Sequence, residues 1–353
     1  MGDWKKNLRV VDPYVPGEQP KQENMIKLNT NENPYPPAPG VEKVLKSMET
    51  GDFRLYPKPD ARELVDALAK EYQVPAEQVF VGVGSDDVLG MAFLTCFNSE
   101  KPILFPDITY SFYPVWADLF KIPYHRPALD ENFCIKKEDY FVENGGIVIA
   151  NPNAPTSIAM PLSSIEEIIA KNQDSVVIID EAYVDFGGES ALPLVDKYDN
   201  LLVVQTFSKS RSMAGMRIGF AIGSRALIDA MYAVRNSYNS YTMNMPSILC
   251  GVEAVEDRAY FEKTTKAIVE TRKDVAEKLT KLGFNVLPSS ANFLFAAHES
   301  VPAEELFLML REKHIYVRYF KQPRIQNYLR ITIGTPEQME IFLAELRSYL
   351  VFK

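Results

Sequence analysis

Three runs in the middle of the chain are nearly continuous in apolar, mostly β-branched residues: Gly146 to Ala150 (GIVIA), Ser175 to Asp180 (SVVIID) and Leu201 to Thr206 (LLVVQT). A run without alternation predicts a strand covered on both faces, as in a parallel sheet sandwiched between helices. Helix-length segments separate the three, which is what right-handed crossovers require. Open parallel sheets bind ligands beyond the carboxyl ends of their strands. Here those ends carry Asn151 to Thr156 (NPNAPT), Asp180 with Tyr183 (DEAY), and Ser208 with Lys209, so three polar groups converge on one edge.

The pattern elsewhere is mixed. VFVGVGSDDVLGMAFLTCF, from Val79, predicts a strand, a glycine turn and a helix, and PILFPDITYSFYPVWADLF, from Pro102, supplies another strand before Tyr110 and Tyr113. A helix starts over Val41 to Met48, and Leu64, Val65, Leu68 and Ala69 have helical spacing in the segment after Tyr56 and Pro57. RIGFAIG and LIDAMYAV read as a strand and a helix, and Pro246 to Leu282 as one long amphipathic helical region with Gly283 as its C-cap. HIYVRYF and NYLRITIG predict strands, in which alternation puts Arg330 with Tyr328 and Thr332 on one face, and Arg318 with Tyr316. An exposed sheet face would account for both arginines. The prolines at 13, 16, 20, 34, 36, 37 and 39 rule out a long helix in the first 40 residues and predict an extended arm. Within it, IKLNTNENPYPP reads on composition as a turn-rich surface loop. RNSYNSYTMNMPS, from Arg235, fits either substrate contact or a plain connection. The expected division is an arm over 1–40 that partly joins the small domain, a large domain over 41–245, and an interdomain helix with a small domain over 246–353.

A chain of 353 residues can bury two domain cores. Its net charge of −9 argues against a nucleic-acid backbone as partner, while local arginines leave small anions possible. Cys96, Cys134 and Cys250 are odd in number and widely spaced, which suits a reducing, cytoplasmic setting. His125, His298 and His314 have no metal-ligand spacing, and no metal is expected. The N-terminus lacks the apolar core of a secretion signal, and no apolar run approaches the length that spans a bilayer.

The chemistry centres on Thr206 to Phe220 (TFSKSRSMAGMRIGF). Lys209 lies just beyond a strand, and Thr206, Ser208, the following N–H groups and Arg217 make a cradle for a phosphate dianion. An amine beside a phosphate cradle points to pyridoxal phosphate. Burial and Arg217 would lower the lysine's affinity for its proton. Asp180 ends an apolar strand, where an unpaired carboxylate is costly; it suits either a protonated pyridine nitrogen or a helix N-cap. Tyr183, three positions on, can donate to a ring oxygen. The turn Gly84, Ser85, Asp86 can hold a single phosphate at a helix N-terminus, or Ser85 or Asp86 can simply cap that helix. Asp87 stands where a dinucleotide fingerprint needs glycine or alanine.

Several ordered motifs resemble one family. T-x-S-K-x-x-x-x-x-G-x-R-x-G (Thr206 to Gly219) resembles the cofactor-lysine segment of the fold-type I aminotransferases, and L-N-x-N-E-N-P (Leu28 to Pro34) that of the histidinol-phosphate aminotransferases. R-x-Y-P at Arg54 and G-S-D at Gly84 add to the likeness. The resemblance implies an α/β fold of type I, with a mostly parallel seven-stranded sheet between helices and a smaller α+β C-terminal domain. It implies pyridoxal 5'-phosphate bound by Lys209, with Asp180 and Tyr183 at the ring, Tyr110 stacked on it, and Gly84, Ser85, Asp86, Thr206, Ser208 and Arg217 at the phosphate. It implies a homodimer in which Tyr56 reaches the neighbouring phosphate. Arg330 would take an amino donor's carboxylate, and Arg318 with Tyr14 the substrate's distal phosphate or carboxylate. The family's N-P-N-N-P-T-G has Ala154 in place of its last asparagine, directly before the second proline, and Ser157 in place of its glycine, so Asn153 is the candidate for the lost ring-oxygen contact. The implied reaction exchanges the amino group between L-histidinol phosphate and 2-oxoglutarate. Relatives on the same scaffold transaminate aromatic amino acids or decarboxylate amino-acid phosphates. An NAD-dependent oxidoreductase and a non-catalytic binding protein are the alternatives from other classes.

Overall fold

The three apolar runs form the interior of a seven-stranded sheet. A computed structural model describes residues 3–22 and 24–351. In chain order its strands are β1 (Ile26–Leu28), β2 (Val79–Gly82), β3 (Ile103–Leu104), β4 (Tyr124–His125), β5 (Gly146–Ala150), β6 (Val177–Asp180), β7 (Leu201–Thr206), β8 (Gly219–Gly223), β9 (Phe284–Val286), β10 (Phe293–His298), β11 (Ile315–Tyr319) and β12 (Leu329–Thr332). The α-helices are α1 (Pro39–Ser47), α2 (Arg62–Tyr72), α3 (Ser85–Cys96), α4 (Tyr113–Phe120), α5 (Leu162–Lys171), α6 (Arg225–Tyr238), α7 (Met245–Glu256), α8 (Arg258–Lys281), α9 (Ala303–Glu312) and α10 (Pro336–Leu350). No helix among the described residues is long and apolar enough to cross a membrane.

The large sheet runs β2-β8-β7-β6-β5-β3-β4, and only β8 opposes its neighbours. Ile147, Ile149, Val177, Ile179, Leu201 and Val203 face one core, shared with the apolar stripe of α2, and Val148, Ile178, Leu202 and Val204 face the other, shared with α3 and α4. Each such side chain contributes about 1.5–3 kcal/mol on burial, so both faces hold the strands in register. That register sets Ala150 beside Asp180 and Asp180 beside Val204. The carboxyl ends of β5, β6 and β7 therefore lie together.

The second sheet runs β1-β11-β12-β10-β9 over its own core. The arm joins it through β1, which pairs in parallel with β11. The expected single helix over 246–282 is two helices: the Asp257 side chain accepts from the Tyr260 N–H at 3.0 Å and starts α8 afresh. Gly283 does follow α8 with a positive φ of 87°. Arg272 of α8 ties the two sheets together, donating to Phe186 O at 2.8 Å and Ala291 O at 2.5 Å.

One close approach positions the turn at Gly84. Gly219, at the start of β8, lies so near Gly84 and Ser85 that a Cβ there would overlap the Gly84 carbonyl carbon and the Ser85 nitrogen, both backbone atoms. Gly219→Ala should therefore cost about 1–3 kcal/mol in urea unfolding of the full chain; an unchanged midpoint would show that the turn has room to move.

Candidate active site

A cavity of about 500 Å³ opens where the carboxyl ends of the large sheet meet the arm and the second sheet. Tyr14, Ser85, Asp86, Tyr110, Asp180, Tyr183, Thr206, Ser208, Lys209, Arg217, Arg318 and Arg330 line it, and Gly84 directly precedes Ser85.

Lys209 follows β7 and is half-buried. Its Nζ donates to Thr30 O at 3.0 Å and lies 5.8 Å from the centre of the Tyr183 ring. Burial brings its pKa down to about 8, Arg330 reinforces this and Arg217 adds less, while Asp86 and Glu32 oppose. The stronger cation is thus Arg330, from the second sheet, and not the Arg217 that the sequence brings to mind.

Asp180 is 5% exposed. It accepts from Tyr113 Oη at 2.7 Å and from the Ala182 N–H at 3.2 Å. Burial pushes its pKa up to about 6, against the pull of those two bonds. It caps no α-helix, because only a short 3₁₀ turn, Val184–Phe186, follows it. Tyr183 accepts from Asn31 Nδ2 at 3.0 Å, which leaves its own proton free to donate.

At the other end, Gly84 (φ 87°) lets Arg217 approach: a Cβ there would lie 2.5 Å from Arg217 Nη2. Neither Ser85 nor Asp86 caps α3, and Asp87 instead accepts from the Val83 N–H at 2.9 Å. The first-turn N–H groups of α3 therefore remain available to an anion. The Asp86 carboxylate is committed to Tyr110 Oη at 2.8 Å and Arg217 Nη2 at 3.4 Å. Thr206 and Ser208 hydroxyls bond each other at 3.0 Å beside this turn.

Arg318 and Arg330 are register partners across β11 and β12. Like charges placed opposite each other destabilise a sheet, so the pair calls for an anion. Arg330 Nη2 donates to Asn29 O at 2.8 Å, and its buried Nε has no partner among the described residues. Burial, then Arg318, lower its hold on its proton, against Tyr183. Tyr14 stacks on Phe112 at 4.5 Å, at the same mouth of the cavity.

Two expected residues stand elsewhere. Asn153 does not face the cavity: its Oδ1 accepts from Thr109 Oγ1 at 2.7 Å, and its Nδ2 donates to Ile108 O and Thr156 Oγ1, each at 3.0 Å. Ala154 takes that place in the lining, so Asn153 does not replace the missing contact. Tyr56 is 81% exposed and stacks on Tyr241 at 4.5 Å, outside the cavity of its own chain. The segment 235–247 does not line the cavity of its own chain.

Other residues belong to the site although the sequence pattern assigns their side chains no role. The asparagines of the arm are not a surface loop: Asn29 and Asn31 are buried, and Asn33 Nδ2 donates to Lys209 O at 2.9 Å. Their motif was visible, but nothing local names their targets. Tyr113 read only as an aromatic.

Sequence and fold are both shared with known chains. Residues 23–346 match the model of aminotransferase class I and II. The chain is 52% identical to the histidinol-phosphate aminotransferase of Lactococcus lactis subsp. cremoris strain MG1363, over 98% of each chain. The fold is also that of the histidinol-phosphate aminotransferase from Clostridium acetobutylicum (TM-score 0.86, 21% identity, 93% of this chain and 100% of that one). It is likewise that of the enzyme from Sinorhizobium meliloti in complex with pyridoxal-5'-phosphate (TM-score 0.84, 20% identity, 92% and 91%). With a lysine, a buried carboxylate and a glycine turn gathered at one sheet edge, and half of its residues shared end to end with such an enzyme, the chain belongs to the class I and II aminotransferases, in the histidinol-phosphate aminotransferase group.

Proposed function

We propose that this protein is a pyridoxal-phosphate-dependent transaminase that exchanges the amino group between L-histidinol phosphate and 2-oxoglutarate, a step of histidine biosynthesis. The observation that carries this reading is one cavity that brings Lys209 and Asp180 together with the paired arginines Arg318 and Arg330, in a chain 52% identical to a histidinol-phosphate aminotransferase.

The residues fit that cofactor. The uncapped start of α3, Arg217, Thr206 and Ser208 would hold its phosphate, Asp180 its ring nitrogen, Tyr183 its ring oxygen, and Tyr110 would stack on its face. Bound there, pyridoxal phosphate supplies an electrophilic aldehyde and an electron-withdrawing ring that spreads the charge left when a substrate carbon loses its proton. Lys209, with a pKa of about 8, has both protonation states within reach near neutral pH, so one amine can take and return that proton. Asp180 stays a carboxylate above about pH 6 and can hold a proton on the ring nitrogen. Arg330 takes the carboxylate of glutamate, and Arg318 with Tyr14 the distal phosphate or carboxylate. The arm segment 29–33 roofs the amine and keeps water from it.

On the same reading the protein is a cytoplasmic homodimer, with Tyr56 reaching the neighbouring phosphate. Exposed Phe53, Leu55, Tyr56, Tyr238 and Tyr241 support an interface there. The division at residues 40 and 245 belongs to this reading too.

Half-reactions of the cofactor-loaded protein test the substrate. Histidinol phosphate should convert the bound cofactor to its amine form faster than phenylalanine does, without release of carbon dioxide; the reverse preference would point to an aromatic aminotransferase. Lys209→Ala should lower turnover by at least about 10³-fold.

The depressed lysine pKa fixes a pH dependence. Only the neutral amine attacks the aldehyde, so capture of pyridoxal phosphate by the cofactor-free protein, followed by absorbance, should rise through about pH 8. Arg330→Gln removes a repelling cation, favours the protonated amine, and should move that midpoint up by roughly one pH unit. A midpoint near pH 10 in the unaltered protein, about the ordinary lysine value, would reject the desolvated amine. Sedimentation should give a dimer, and a monomer that retains full turnover would remove Tyr56 from the site.

A further inference from the structure

Tyr113 is fully buried at the start of α4 and has no place in the chemistry described so far. A buried tyrosine hydroxyl is costly unless it is hydrogen-bonded. Tyr113 Oη donates to Asp180 Oδ2 at 2.7 Å. Its ring stands at 86° to that of Tyr110, 5.6 Å between centres, and its N–H donates to Tyr110 O at 3.2 Å. Phe93, Phe105 and Trp116 surround it, so the ring has little freedom to turn.

The carboxylate and the ring that it links are both cavity-lining, and they come from separate parts of the chain. Asp180 ends β6, whereas Tyr110 lies in the loop before α4 and is anchored at its other end by Asp86. We propose that Tyr113 is a positioning residue for the cofactor site, fixing Asp180 through its hydroxyl and Tyr110 through its ring and backbone, so that a carboxylate and an aromatic face are presented together. This rests on the reading of the cavity as a pyridoxal-phosphate site. The requirement for the hydroxyl follows from the surroundings: packing alone would be met by phenylalanine, which brings no polar atom into an apolar core. Tyr113 also leaves Asp180 with a donor on each oxygen, since Ala182 N–H serves the other. A charged carboxylate gains more from such bonds than a neutral acid does.

The titratable groups that bear on Asp180 are Tyr113, Tyr183 and Asp86. Of these, Tyr113 alone is hydrogen-bonded to it. Its replacement therefore changes the carboxyl without touching another charge.

The test uses the full chain with Tyr113→Phe. The titration of the Asp180 carboxyl is followed by carbon-13 NMR of aspartate-labelled, cofactor-free protein, with the signal assigned by Asp180→Asn. The dissociation constant for pyridoxal phosphate is measured alongside. The substitution should raise the Asp180 midpoint by about one pH unit and weaken cofactor binding about tenfold. 3-Fluorotyrosine at position 113, a stronger hydrogen-bond donor, should move the midpoint the other way. It decides the matter alone if the phenylalanine variant fails to fold. A midpoint that stays put in both proteins, or one that moves with no change in cofactor affinity, would overturn the proposal. Neither readout needs turnover: a chain that binds pyridoxal phosphate but transaminates nothing would remove the proposed reaction and leave the role of Tyr113 standing.

Discussion

A primary amine keeps its proton in water and yields it when water is removed and another positive charge is brought near. Both conditions act on Lys209, and they come from different parts of the fold. The large sheet buries the amine, and the second sheet brings up Arg330. The chemistry of the lysine therefore depends on the separation of two sheets with their own cores, and not on its flanking sequence alone. Arg272, with its hydrogen bonds to Phe186 O beyond β6 and Ala291 O before β10, is one of the fasteners that hold that separation.

The arm is another. After β1 pairs with β11, residues 29–33 make a series of bonds into the cavity wall. Asn29 O accepts from Arg330, Thr30 O from Lys209, Asn31 donates to Tyr183, and Asn33 donates to Lys209 O. Asn31 is held in turn, its N–H and its Oδ1 both bonded to Thr332 Oγ1. Asparagine suits such a strap because one short side chain offers both donors and an acceptor. An aliphatic residue at 31 or 33 would fill the space and leave the tyrosine or the carbonyl without its partner.

What the sequence discloses follows from the range of the forces involved. The buried strands were legible because continuous apolar runs reflect burial on both faces, and their shared edge follows from parallel connection. Lys209, Asp180 and Arg217 were legible because their residue types sit at those strand ends or within one short motif. Arg318 and Arg330 could be assigned to faces, yet their pairing could not be seen, since register between β11 and β12 is set by the whole sheet. The break at Asp257 turns on a single capping side chain inside a helical pattern. Tyr113 was hidden because an aromatic beside Phe112 and Trp116 has the same sequence signature whether its hydroxyl is idle or bonded.

Ala154 shows how a departure from a family pattern can be read through geometry. The neighbouring Asn153 has the right chemistry, but Thr109, Ile108 and Thr156 use both its oxygen and its amide hydrogens, and turning it inward would break three bonds in a buried place. On the proposed reading the ring oxygen is then left with Tyr183. That tyrosine already accepts a hydrogen from Asn31, so its remaining proton has to point elsewhere, and the cavity is the side that Tyr183 lines. Asn31 thus directs the one donor that remains, which ties the loss of a contact in the large sheet to the strap that crosses it from the arm.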